Sequence, residues 1–112
     1  MTDLSYSDFL KVDMRVGTIL RAEEYNNLKK PSIILEIDFG KQIGIKKSSA
    51  QLKSNYAVQD LIHKQIAAVI NFPAKQIGKV ISEVLVLGFP DNQNEPILFS
   101  PDLKIENGGR LY

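Results

Sequence analysis

Apolar side chains in this chain recur at every second position, in short runs cut by glycine, proline and polar residues. In "KVDMRVGTIL", Val12, Met14 and Val16 alternate with Lys11, Asp13 and Arg15. Successive side chains of an extended chain point to opposite faces, so this period marks a first strand with one covered side. "SIILEIDFG" repeats the pattern through Ile33, Leu35 and Ile37, and "QIGIKK" through Ile43 and Ile45. These read as second and third strands joined by a tight hairpin at Gly40–Lys41. "QIAAVINF" is apolar without a break, as a buried fourth strand is, and Pro73 ends it. "EVLVLGF" reads as a fifth. Gly17 interrupts the first strand, and a lone glycine there marks a bulge or the sharp bend that closed barrels need at corners.

The connecting segments carry other signals. Ser5 stands three residues before Asp8, the spacing of a helix start, so a short turn is expected around Ser5–Lys11. Residues 25–31, "YNNLKKP", are turn chemistry. Leu52, Tyr56, Leu61 and Ile62 return at near-helical spacing, which places a short helix within 54–63. "PAKQIGKVIS" reads as an irregular stretch or single turn, and "PDNQNEP" as a loop before a last extended piece, "ILFS". Five short strands, a helix between the third and fourth, and a bend in the first describe an all-β OB-fold barrel. A small β-sandwich is the alternative. The 112 residues suffice for one domain, 1–112, with a core of about 8–109.

Several kinds of chemistry are excluded. Cysteine is absent, which removes disulfides, thiol nucleophiles and thiolate metal sites. The single histidine, His63, has no second histidine with which to build a metal site. Carboxylates fall mainly in local pairs such as Glu23–Glu24, with no apolar surroundings to raise a pKa. Neither an enzyme nor a cofactor or metal is expected. The start, "MTDLSYSDFL", has acids and hydroxyls where a signal peptide carries positive charge, and no apolar run approaches the roughly eighteen residues of a membrane helix. A cytoplasmic protein without membrane insertion is expected.

Charge is divided unevenly along the chain. Lys41 to Ser82 holds seven lysines and one acid, Asp60, while the remainder holds seven bases and twelve acids. The net +1 therefore hides a strongly basic middle, which suits an anionic partner or a solvated, solubilising face. Two stretches concentrate it: "KKSSAQ" and "NFPAKQIGKVISE". Both follow core strands and can open onto the same mouth of a barrel. In this reading Lys46 and Lys47 end the third strand at the rim, and Ser48 and Ser49 keep the entrance open. Lys46, Lys47, Lys75 and Lys79 supply phosphate contacts. Ser48, Ser49 and Ser82 donate hydrogen bonds, and Gln51 and Gln76 reach base edges. Phe72 and Tyr56 are candidates for stacking on an unpaired base. The same region admits a second use. Phe72, Pro73, Ile77 and Val80 lie in a segment too broken by Pro73 and Gly78 to be wholly core. They can form an apolar peptide-binding surface in the seam where two copies of this loop meet in a two-fold dimer, with Lys75 and Lys79 on its rim.

The stretches "FLKVDMRVGTI", "IDFG", "KKSSAQL", "INFPAKQIG" and "SEVLVLGF" resemble, in this order, the tRNA-binding-domain family. The resemblance runs from about Asp8 to Gly109. It extends to the C-terminal domain of bacterial methionyl-tRNA synthetase and to the family's export-related chaperones. It implies an OB-fold with terminal extensions, a symmetric homodimer, and a cytosolic protein tied to secretion that binds unfolded polypeptides or preproteins. For the wider family it implies structure-specific tRNA binding on the basic face. A homodimer also follows from the apolar fifth strand and the Leu111–Tyr112 tail, which a lone barrel covers incompletely.

Overall fold

The computed structural model describes residues 2–112; Met1, first in the expected domain, lies outside the described residues. The chain opens with α1 (Tyr6–Leu10), whose N-terminus is capped as its spacing suggests: the Asp8 N–H donates to Ser5 Oγ at 3.1 Å. There follow β1 (Met14–Tyr25), β2 (Ser32–Asp38), β3 (Ile45–Ala50), α2 (Val58–Leu61) and β4 (Gln65–Val69). The second half is made of short pieces: β5 (Lys75–Ile77), β6 (Val80–Ser82), β7 (Leu85–Val86), β8 (Gly88–Pro90) and β9 (Pro96–Leu98). Five strands pair antiparallel in the order β3-β2-β1-β4-β7 and curl into the half-barrel of an OB-fold. β5–β6 and β8–β9 form separate hairpins.

The core lies inside the curl. Ile33, Leu35 and Ile37 of β2 are fully buried against Ile19, Ile66 and Ala68, with Phe39, Leu52, Leu61, Val84 and Leu98 filling the ends. The period-two reading of β2 thus names its inner face correctly. In β1 the inner residues are Gly17 and Ile19, whereas Val16 is buried on the outer face beneath the C-terminal extension. There the Val16 N–H donates to the Gly109 carbonyl at 3.0 Å, and the Gly108 N–H to the Val16 carbonyl at 2.8 Å. Both faces of β1 are covered at this point.

Gly17 serves close packing rather than a bulge. A Cβ there would sit 2.6 Å from Ile37 Cγ2 and 2.8 Å from the Phe39 ring. The register shift of β1 against β2 lies further on, between Ile19 and Arg21. The expected tight hairpin at Gly40–Lys41 is a longer turn in which Gly40 and Gly44 both take positive φ, and β3 starts only at Ile45. Residues 73–82, expected to be irregular, pair as the β5–β6 hairpin. The expected fifth strand breaks in two, because Leu85–Val86 pair with β4 while Gly88–Pro90 turn away to pair with β9.

Candidate functional site

Register decides where the two lysines of "KKSSAQ" point. Lys46 pairs with Ile37 and Ser48 with Leu35, so both share the inner face of β3, Lys46 half-buried at the barrel end. Lys47 and Ser49 lie on the outer face, Lys47 opposite Glu36. Adjacent in sequence, the lysines diverge in space. Nor do they end the strand, which runs through the serines to Ala50.

Ser48 is not at an open entrance. It is buried, and its hydroxyl donates to the Val84 carbonyl at 3.0 Å, so this side chain is withdrawn from any ligand. The cause is barrel closure. β3 and β7 run parallel, and the described residues form no regular ladder between them. The seam is latched instead by individual bonds. The Lys47 N–H donates to Glu83 Oε1 at 3.0 Å and the Glu83 N–H to the Lys47 carbonyl at 2.8 Å. The Ser49 N–H donates to Ser82 Oγ at 3.1 Å, which ties Ser82 to the same closure.

Outside this latch the two basic stretches do meet. β4 stops at Val69 because Asn71 takes over the backbone groups beyond it: the Asp13 N–H donates to Asn71 Oδ1 at 3.0 Å, and Asn71 Nδ2 to the Lys11 carbonyl at 2.7 Å. The chain then leaves the barrel at Phe72, and Pro73 has no N–H with which to rejoin it. Phe72 is consequently 55% exposed. It opens a groove of about 320 Å³, lined also by Pro73, Lys75, Ile77, Leu85 and Ser49. Lys75 pairs with Ser82 and Ile77 with Val80, which puts these four on one side of the hairpin, with Val80 half-buried beyond the groove at the tip. Gln76 belongs to the other side and donates to the Gly78 carbonyl at 3.1 Å, turning away from the groove.

The tip is fixed by Tyr25. Its hydroxyl accepts the Lys79 N–H at 3.1 Å, and Gly78, at φ 62°, leaves room for the ring where a Cβ would sit 2.8 Å from that oxygen. Gln51 lines a neighbouring cavity of about 350 Å³. Tyr56 is no stacking platform: half-buried against the core, its hydroxyl accepts the Leu98 N–H at 3.0 Å. His63 is exposed and lies outside the groove lining, beside Lys64 and Lys104.

Among the described residues, Lys46, Lys47, Lys75 and Lys79 make no ion pair. Their charge is available to a ligand. Leu85, 50% exposed in the groove wall, and Glu83 were missed as site residues. The alternation in "EVLVLGF" carried the signal for Leu85, since it opposes the buried Val84. One acid elsewhere is held below the usual carboxylate range. Asp91 accepts hydrogen bonds from Asn55 Nδ2 first and then from the Glu95 amide; burial opposes them, and the Gln93 amide adds the least.

The sequence profile of the family described as "Putative tRNA binding domain" matches residues 14–110. The chain belongs to the tRNA-binding-domain family. Within that family it is similar along its whole length to the chaperone CsaA of Bacillus anthracis, with 42% identity, a TM-score of 0.92, and coverage of 99% of this chain and 100% of that one. The CsaA chaperone protein of Picrophilus torridus shares 44% identity at a TM-score of 0.90, over 98% of this chain and 100% of that one. The methionine–tRNA ligase of Methanococcoides burtonii is 36% identical over 110 residues, 97% of this chain but 16% of the ligase. The chain thus spans about one-sixth of that ligase. Among the described residues no helix is long and apolar enough to cross a membrane.

Proposed function

We propose that this chain is an export-related molecular chaperone that binds unfolded polypeptides or preproteins in the cytoplasm. The observation that carries the reading is the exposed apolar groove of Phe72, Pro73, Ile77 and Leu85, outside the core and beside the unpaired Lys75. Contiguous exposed apolar patches with a polar rim are the surfaces at which folded proteins bind partners. The full-length similarity to two chaperones supports the same reading. The test is suppression of aggregation of a reduced, denatured client at stoichiometric ratio. Suppression is expected, and unaltered client aggregation contradicts the reading.

A second reading, structure-specific tRNA binding without a chaperone role, is favoured by the four unpaired lysines and by the family match. Lys47, Lys75 and Lys79 are exposed, as phosphate contacts must be. A homodimer joined through the terminal extensions completes the proposal. Leu4, Tyr6, Leu103, Ile105 and Tyr112 are exposed there, and a two-fold partner would cover them. Light scattering is expected to show twice the 12.6 kDa chain mass at micromolar concentration; a stable species at the chain mass refutes the dimer.

A further inference from the structure

Of the seven asparagines in the chain, Asn107 alone is followed by glycine. In that pair the glycine backbone nitrogen can attack the asparagine side-chain carbonyl carbon, because no Cβ crowds its approach. Packing requires both members. Gly108 sits at φ 94°, and a Cβ there would lie 2.6 Å from the Phe39 carbonyl oxygen, so any other residue is strained. Asn107 joins two side chains of the barrel: its Oδ1 accepts from Thr18 Oγ1 at 2.7 Å and from Gln65 Nε2 at 3.1 Å. The fold thus sets a chemically labile pair in the C-terminal extension.

The same contacts restrain it. The Gly108 N–H, which carries the attacking nitrogen, donates to the Val16 carbonyl at 2.8 Å. Gln65 grips Ile105 from both sides, its Nε2 donating to the Ile105 carbonyl at 2.6 Å and its Oε1 accepting the Ile105 N–H at 3.0 Å. Beyond the pair, the Leu111 N–H donates to the Met14 carbonyl at 2.9 Å. Attack needs the Gly108 amide and the Asn107 side chain free together, so the extension has to lift from β1. Terminal segments open locally at a far lower free energy than the core unfolds.

We propose that Asn107 is a self-modification site, which reacts only while the C-terminal extension is lifted from β1 and makes that release permanent. In the open state the Gly108 nitrogen bonds to Asn107 Cγ and gives up its proton, and the side-chain amide leaves as ammonia. The cyclic imide then takes up one water. Opening at the side-chain carbonyl gives aspartate, and opening at the main-chain carbonyl gives isoaspartate. Aspartate can dock again, since its carboxylate accepts from Thr18 and Gln65 as the amide oxygen did. Isoaspartate cannot. Its main chain runs through the side-chain carbon and is one methylene longer, so Gly108 and Gly109 no longer meet Val16 together. Its free carboxylate also replaces the carbonyl that packs on Gly40, where a Cβ would sit 2.7 Å from that oxygen. Val16, buried beneath the docked extension, is then uncovered.

The test stores the full chain in warm neutral buffer and reads residue 107 over weeks, by the mass gained when amide becomes acid and by isoaspartate-specific methylation. Conversion at Asn107 is expected, about tenfold or more slower than in a synthetic peptide of residues 103–112. Gln65→Ala loses three anchoring bonds and should convert about tenfold faster than the parent. Urea below the global unfolding transition should accelerate the parent in the same way, and decides the matter if Gln65→Ala does not fold. Conversion of the native chain at the peptide's rate, none in either parent or variant, or acceleration only with global unfolding overturns the gate. The isoaspartyl chain, separated by ion exchange, is expected to lose hydrogen-exchange protection at Val16 and Leu111 while β2 keeps its own. Asn107→Asp should keep protection throughout. Protection retained in the isoaspartyl chain, or lost equally in Asn107→Asp, overturns the permanent release.

Discussion

Replacing Ser48 by alanine separates two roles for the same side chain. At the rim of an open mouth, its hydroxyl would serve a ligand, and its loss would leave stability untouched. In the structure Ser48 is 1% exposed and its hydroxyl donates to the Val84 carbonyl at 3.0 Å. Alanine leaves that carbonyl with only a long contact to Ser82 Oγ at 3.4 Å. Leaving a buried acceptor without a good partner costs about 1–3 kcal/mol. The lower half of that range applies here, because Ser82 retains part of the bond and alanine leaves no large void. For a domain of this size each kcal/mol moves the melting temperature by roughly 4–8 °C. Ser48→Ala is therefore expected to melt about 4–16 °C lower, with tRNA and client affinity per folded molecule unchanged. Ser49→Ala, whose hydroxyl makes no protein hydrogen bond among the described residues, should melt as the parent does. Calorimetry with a binding titration on each variant checks this. Unchanged melting of Ser48→Ala together with weakened binding would refute the latch and return Ser48 to the mouth.

Other substitutions probe other parts of the account. Gly17→Ala forces a methyl to within 2.6 Å of Ile37 and should destabilise by about 1–3 kcal/mol, read as a lower midpoint in urea. Lys47→Ala and Lys75→Ala should each flatten the salt dependence of tRNA affinity by about one unit of slope, from about −3 for roughly four phosphate contacts. A gel shift insensitive to salt contradicts that. Asp91 has its carboxyl pKa lowered from the ordinary 3.8, so its ionised form stabilises the fold at any pH above that value. That contribution is lost as pH falls through the lower folded value. The stability difference between the parent and Asp91→Asn should shrink only in that acid range, and a gap that persists there contradicts the assignment.

The sequence carries local facts more readily than distant ones. Ile33, Leu35 and Ile37 announce β2 because period two needs only neighbours, and the Ser5 cap is legible from a three-residue spacing. The opposed directions of Lys46 and Lys47 follow from strand parity once β3 is known to run to Ala50. "SSA" hides that length, since small polar residues resemble a turn. Ser48 could not be read as buried, because the contact that buries it comes from Val84, thirty-six residues on. Gly17 was recognised as special but for the wrong reason: the crowding comes from Ile37 and Phe39, across the sheet. The β5–β6 hairpin escaped notice because its strands have three residues each, and Pro73 and Gly78 look like breakers. Convergence of "KKSSAQ" and "NFPAKQIGKVISE" was expected at a barrel mouth; the two stretches meet instead along the edge of β3, where Ser49 lies beside Ser82, Phe72 and Lys75.

Phe72→Ser tests the central claim most directly, with a denatured client and tRNA assayed side by side. Phe72 is 55% exposed, so its truncation removes only part of the roughly 1.5–3 kcal/mol that full burial of a phenylalanine gives. Stability is expected to fall by about 1 kcal/mol, and tRNA affinity to stay near that of the parent. Suppression of client aggregation should be lost. A drop of about 3 kcal/mol or more with both activities failing together would make Phe72 a core residue, and undiminished suppression would remove the groove as the polypeptide site.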